Sequence, residues 1–211
     1  MKIEKVILGP LQNNTYIIYF ENINEVVVID PSFDVENILS EIKKSNIKIK
    51  AILLTHAHID HIAGILKIKE SFPDAKVYMG EKEQKTLLNS NFNLSYLFPG
   101  TLIYDKVDFL LKDGEKLSFG NVEFEIITTP GHTIGSICYY IKSENILFTG
   151  DTLFYKTIGR SDFPGGNFIQ LVNSIVNRLF TLPDNTDVMP GHGITTSIKF
   201  ERENNPFVRG T

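Results

Sequence analysis

Apolar positions in the first thirty residues fall into three short runs, Val6–Leu8, Tyr16–Phe20 and Glu25–Ile29, rich in Ile, Val and aromatics. Turn formers (Gly9-Pro10, Asn13-Asn14, Asn22 to Asn24) separate them, which predicts three strands. From Asp34 to Ser45 the period changes. Val35, Ile38, Leu39 and Ile42 recur at i, i+3, i+4 and i+7, predicting an amphipathic helix with Asp34 as its N-cap. Lys50–Thr55 is a short apolar run, as expected for a strand buried on both faces, and it runs into His-Ala-His-Ile-Asp-His. A helix over Ile62–Phe72, a strand over Ala75–Met79 and a helix over Glu81–Leu88 follow. Asn89 to Pro99 has no period and reads as a loop with a helical turn. Strands are then predicted over Val107–Leu111, Lys116–Phe119, Val122–Thr128, Ile137–Ile141 and Ile146–Thr149, punctuated by Gly114, Gly120-Asn121 and Ser143-Glu144. Phe168–Leu179 has helical period, and Asp187–Met189 is a last short strand. This order fits an α/β fold of two stacked sheets with helices outside, a four-layer αββα sandwich, better than a doubly wound sheet. With no repeat, low-complexity stretch or linker, residues 1–211 read as one domain.

Composition narrows the function. The net charge of -4 argues against a nucleic-acid partner, which calls for a basic footprint. No run reaches the ~18 apolar residues of a membrane span, and the first residues lack a signal-peptide pattern, so a cytoplasmic protein without membrane association is expected. One cysteine excludes an internal disulfide. Cys138, inside an apolar run, reads as a small core residue.

The five histidines carry the chemistry. Three lie in His56-Ala57-His58-Ile59-Asp60-His61, a pattern that chance would produce on the order of once in ten thousand chains of this composition. In an extended segment alternate side chains share a face, so His56 and His58 can converge, while Asp60 and His61 enter the helix and can reach a second centre. His132, Asp151 and His192 each follow a predicted strand and sit beside a glycine. Ligand sites in α/β folds gather at such strand ends. Five His and two Asp exceed one tetrahedral site and suit two metal ions: His56, His58 and His132 for the first, Asp60, His61 and His192 for the second, with Asp151 bridging. A ligand set without thiolate suits Zn, with Fe or Mn as alternatives.

Thr55 to His61, Gly131-His132-Thr133, Gly150-Asp151-Thr152 and Gly191-His192-Gly193 resemble, in order and spacing, the metallo-β-lactamase-fold hydrolases. Gly150 to Phe154, Gly159-Arg160-Ser161-Asp162-Phe163 and the stretch Glu201 to Phe207 look like the glyoxalase II group, and its short bacterial members in particular. The resemblance implies the αββα fold and a dinuclear centre, without the C-terminal helical domain of full-length glyoxalase II. Metallo-β-lactamases carry a Cys ligand where this chain has Asp151, so antibiotic hydrolysis is not expected.

The expected activity is that of a thioesterase acting on a small-molecule hydroxyacyl-thiol conjugate such as S-D-lactoylglutathione. Two ions would bring the pKa of a shared water toward roughly 7, giving a hydroxide to attack the carbonyl. Asp60 would orient that nucleophile. Arg160 is the candidate for an anionic part of the substrate, or else pairs with Asp162 or Asp151. Phe154 and Tyr155 are candidate pocket residues. The alternatives are a mononuclear iron persulfide dioxygenase using His56, His132 and Asp151, a hydrolase of another ester or lactone, and a silent binding protein.

Overall fold

A computed structural model describes residues 1–208. In the first sheet β1 (Lys2–Leu8), β2 (Asn13–Tyr19), β3 (Glu25–Ile29), β4 (Lys48–Leu53), β5 (Lys76–Gly80) and β6 (Phe109–Leu111) lie side by side in chain order. In the second, β7 (Lys116–Phe119), β8 (Val122–Thr128), β9 (Ile137–Ile141) and β10 (Ile146–Gly150) form an antiparallel run. A small hairpin of β11 (Leu153–Phe154) and β12 (Thr157–Ile158) interrupts it, and β13 (Asp187–Pro190) and β14 (Thr196–Ser197) complete it. β13 lies parallel to β10, and β3 to β6 are mutually parallel, so β3, β4, β10 and β13 all deliver their carboxyl ends to sites served by loops.

Period-two alternation in strands buried on both faces builds the layers. Tyr16, Ile18, Val27, Ile29, Ala51 and Leu53 of the first sheet meet Phe124, Ile126, Ile137, Tyr139 and Phe148 of the second in one core. The Tyr16 and Phe148 rings, one from each sheet, meet edge to face at 5.1 Å. The intervening residues face outward. Ile17, Val26, Val28 and Ile52 pack under α1 (Glu36–Lys44) and the helices that follow β4, α2 (Ile59–Ile62) and α3 (Ile65–Ser71). α4 (Gln84–Leu87) extends this layer through Leu87. Cys138, Tyr140, Leu147 and Val188 pack under Leu171 of α5 (Phe168–Ser174), the π-helical turn Ile175–Leu179 that continues it, and Ile198 of α6 (Ile198–Asn204). This is the expected four-layer αββα sandwich. Among the described residues no helix is long and apolar enough to cross a membrane.

Several boundaries differ from expectation. Asp34 does not cap α1: its φ is +60°, and the helix starts after Val35 without a side-chain cap. Asn13-Asn14 is not a turn but the start of β2, fully buried, because both amides bond toward the loop after β13 and the histidine cluster. The predicted 62–72 helix begins earlier and breaks at Gly64, which packs against the Pro31 and Ser32 carbonyls and donates its N–H to Pro31 O at 3.0 Å. The β11–β12 hairpin and β14 differ from expectation because two-residue strands carry no periodic signal, and α6 lies beyond the last element that the pattern predicts.

Phe148 fills the space between the sheets, so Phe148→Ala is expected to lower the unfolding free energy by about 3–5 kcal/mol, read from denaturant melts of the metal-free protein.

Candidate metal centre

Five strand ends supply the centre. Asp30 follows β3, His56 follows β4, His132 follows β8, Asp151 follows β10 and His192 follows β13. Asp60 and His61 lie in α2, whose start converts the extended His56-Ala57-His58 segment into helix. Backbone bonds join the two sheets here: Ile137 N to Thr55 O at 2.9 Å and Asn14 N to Gly191 O at 2.7 Å. Two glycines permit the approach. A Cβ at Gly191 would strike the Asp151 carboxylate and the His61 ring. Gly131, at φ +134°, lets the α5 backbone at Leu171 close over the His132 loop.

The structure brings all seven sequence-predicted ligand candidates together. His56 Nε2 lies 3.1 Å from His58 Nδ1, which lies 2.9 Å from His132 Nε2. Neighbouring groups fix where the protons sit. The Thr55 hydroxyl donates to Asp30 Oδ2 at 2.6 Å, so its oxygen is left to accept from His56 Nδ1 at 3.1 Å. His132 Nδ1 donates to the Arg160 carbonyl at 2.7 Å. Both Nε2 atoms are therefore bare lone pairs aimed at His58 Nδ1, where a single proton could serve only one of them. Burial lowers all three imidazoles, His56 well below its ordinary range, His58 to about 3 and His132 less far, so a proton does not resolve the crowding. A cation does. Nitrogen ligands about 2.0–2.1 Å from a tetrahedral ion stand about 3.4 Å apart, close to the observed spacing.

The second group is built differently. His61 Nδ1 donates to Asp30 Oδ2 at 3.0 Å, and its Nε2 faces Asp151 Oδ1 at 3.5 Å and Asp60 Oδ2 at 3.6 Å. His192 Nε2 lies 3.1 Å from Asp60 Oδ2. Asp151 stands between the groups, its Oδ2 3.5 Å from His192 Nε2 and 3.7 Å from His132 Nε2. Its Oδ1 is buried without a hydrogen-bond partner, a costly state that a bound ion relieves. Burial alone would lower His61 and His192, but the carboxylates outweigh it, Asp60, Asp151 and Asp30 for His61 and Asp151 and Asp60 for His192, and both are raised. Burial likewise pushes Asp60 and Asp151 up, yet the adjacent histidines pull both below the usual carboxylate range. The residues therefore fit two ions: His56, His58 and His132 could hold one, Asp60, His61 and His192 the other, with Asp151 reaching both.

Two supporting residues escaped the sequence reading. Asp30, 2% exposed, accepts from Thr55 N at 2.8 Å as well as from the Thr55 hydroxyl and His61. Its signal was available, since it too follows a buried strand directly. Glu83, fully buried, accepts from Ala57 N, Thr133 Oγ1 and Gly135 N at 2.7–3.0 Å, tying the His56 loop to the His132 loop. Burial, only partly offset by those donors, raises it to about 7. A glutamate in a helical stretch reads as a surface residue, so nothing marked it. Arg160 lines the cavity above the centre, but its guanidinium is forked onto Asp162 at 3.0 and 2.7 Å and stacked 4.1 Å over Phe163. Phe154 packs near His192 at 6.3 Å, and Tyr155 stacks on Phe200. Cys138 lies in the second sheet's outer core, its thiol pushed up to about 12 by burial.

Protons compete with an ion for histidine. Stepwise acidification of protein loaded with two zinc equivalents is therefore expected to release the zinc, seen as a fall from two to none per chain by elemental analysis after dialysis. Asp30→Ala, which frees Thr55 and His61, is expected to weaken zinc affinity about 10- to 100-fold in chelator competition.

A family model described as the metallo-beta-lactamase superfamily matches residues 8–192. A probable metallo-hydrolase of Bacillus subtilis is 36% identical over all of this chain and 99% of its own length. The hydroxyacylglutathione hydrolase GloC of Haemophilus influenzae is 32% identical over 99% of this chain and 98% of its own. Among solved structures, the BLEG-1 B3 metallo-beta-lactamase is 38% identical at a TM-score of 0.91, covering 99% of this chain and 100% of that one. ETHE1 from Myxococcus xanthus is 30% identical at 0.82, covering 100% and 86%. TTHA1623, in a di-iron-bound form, is 34% identical at 0.83, covering 97% and 99%. The matched region takes in every residue of both ligand groups, and the chain belongs to the metallo-β-lactamase superfamily.

Proposed function

We propose that the chain is a dinuclear metal-dependent thioesterase of the glyoxalase II type, cleaving hydroxyacyl-thiol conjugates with S-D-lactoylglutathione as the reference substrate. The observation that carries this reading is the pair of complete ligand groups sharing Asp151, set at the floor of a cavity of about 900 Å³. Divalent ions, zinc first and iron or manganese as alternatives, would be held by His56, His58 and His132 on one side, by Asp60, His61 and His192 on the other, and by Asp151 between them. Bound there, they would supply Lewis-acid polarisation of the carbonyl and an activated water at neutral pH.

The protein's own groups do the rest. Asp60 Oδ2 lies at the cavity floor, where it can accept a hydrogen bond from the attacking water and fix its direction. Hydrogen bonds from His132 Nδ1 to the Arg160 carbonyl and from His61 Nδ1 to Asp30 hold the rings in register, so little reorganisation is needed during reaction. A thiolate leaves readily without a dedicated acid, and among the described residues no carboxylic acid outside the ligand groups lines the cavity. The likeness to GloC and to a di-iron-bound structure supports two ions and a thioester. The substrate is a small molecule met in the cytoplasm, with no nucleic-acid or membrane partner.

Elemental analysis of the purified protein, paired with three assays, tests the reading. Two ions per chain with S-D-lactoylglutathione cleavage are expected, and Asp60→Ala is expected to lower turnover by about 10²–10⁴-fold. One iron per chain with oxygen consumption on glutathione persulfide, or β-lactam cleavage without thioester cleavage, would overturn it. So would full turnover in Asp60→Ala.

A further inference from the structure

The cavity above the centre is walled by apolar side chains from four separate segments. Leu11 comes from the β1–β2 turn, Leu97 from a 3₁₀ turn at Ser95–Leu97, Phe154 and Tyr155 from the β11–β12 hairpin, and Ile194 from the loop after His192. Leu11, Leu97 and Ile194 are 48%, 54% and 58% exposed. Single exposed leucines need no explanation, but several converging from distant segments on one concave mouth mark a binding surface. Their burial waits for an occupant.

The charges in the same cavity point the same way. Beyond the ligand carboxylates Asp60 and Asp151, the charged side chain lining it is Arg160, whose guanidinium is forked onto Asp162 in an exposed pair. Two lysines stand near the rim and do not line it. Lys5 Nζ bonds the Gly193 carbonyl at 3.3 Å, and Lys156 Nζ lies 5.3 Å over the Tyr155 ring. A glutathione arm carries two carboxylates and an ammonium. Such an arm would lose its hydration against leucine, isoleucine and phenylalanine with no free cation among the described lining residues to replace it.

We propose that the bulk of the substrate is uncharged and apolar, an aliphatic or aromatic group borne on the acyl or the thiol side of the scissile bond, and that Leu11, Leu97 and Ile194 set this specificity. The proposal rests on the thioesterase reading above and narrows it: S-D-lactoylglutathione becomes a poor substrate of a site built for greasier thioesters. An uncharged chain would bury against these walls and gain roughly fourfold in kcat/KM per methylene until the cavity is full.

Four thioesters test it on the metal-loaded protein: D-lactoyl or octanoyl, each on glutathione or on uncharged N-acetylcysteamine. Octanoyl-N-acetylcysteamine is expected to exceed S-D-lactoylglutathione at least tenfold in kcat/KM, and the single exchange that carries the gain tells whether the acyl or the thiol side is recognised. Leu97→Asp and Ile194→Asp are expected to collapse that ratio with two ions still bound, whereas Ile169→Asp, 71% exposed on α5 away from the cavity, leaves it unchanged. S-D-lactoylglutathione as the best of the four, or a ratio indifferent to Leu97 and Ile194, would overturn the proposal. If no thioester is cleaved, the thioesterase reading fails by itself. Calorimetry with the non-cleavable thioether S-octyl-N-acetylcysteamine then decides the cavity's preference: Leu97-dependent binding upholds the apolar occupant, and no binding overturns it.

Discussion

The carboxylate of Asp30 reaches Thr55 twice and His61 once, and through these bonds it governs the protonation of the cluster. By accepting the Thr55 hydroxyl hydrogen it leaves an oxygen that can only accept from His56, which turns the far nitrogen of that ring into a bare lone pair. By accepting from His61 it does the same there directly. One buried carboxylate thus sets two imidazole tautomers in different ligand groups. Thr55 in turn sits where Gly150 must lack a side chain, so the strand ends that carry His56 and Asp151 are packed against each other through the residue that Asp30 holds.

This arrangement explains why the fold keeps so many polar groups inside. His56, His58, His61 and His132 are all buried, and hydrogen bonds among themselves cannot satisfy them. Without an ion the cluster is frustrated, with lone pairs facing lone pairs and a carboxylate oxygen left alone. The surrounding structure has to impose it. Two sheets pressed together through Tyr16, Phe124, Tyr139 and Phe148, together with the Glu83 bridge, supply the rigidity.

The layers and the ligand candidates were readable in the sequence because both rest on local pattern. Strand Ile137–Ile141 is apolar throughout, and Glu25–Ile29 is apolar after its first residue, because both of their faces are covered, and every histidine follows a strand or opens a helix. What escaped depends on contacts between distant segments. Asn13 and Asn14 look like turn residues in any local window, yet they are drawn into β2 by the chain around His192. Glu83 resembles a surface residue until the His56 and His132 loops close around it. Arg160 read as an anion receptor, but two residues along the chain Asp162 occupies its guanidinium, a pairing named beforehand as the alternative. Asp30 obeys the same strand-end rule as His56 and Asp151 but lies outside the histidine motif, so its place in the site shows only in the folded structure.

The ligand groups also follow an order along the chain. His56, His58, Asp60 and His61 emerge early from the ribosome, His132 and Asp151 later, and His192 only after β13. Each group is finished by a residue from the second half of the chain, His132 for one and His192 for the other, both carried by the second sheet. A nascent or truncated polypeptide lacking β13 would therefore display scattered imidazoles without a finished pair of cages. A full metal complement would thus require that the chain has folded through β13, which brings the last ligand to its group.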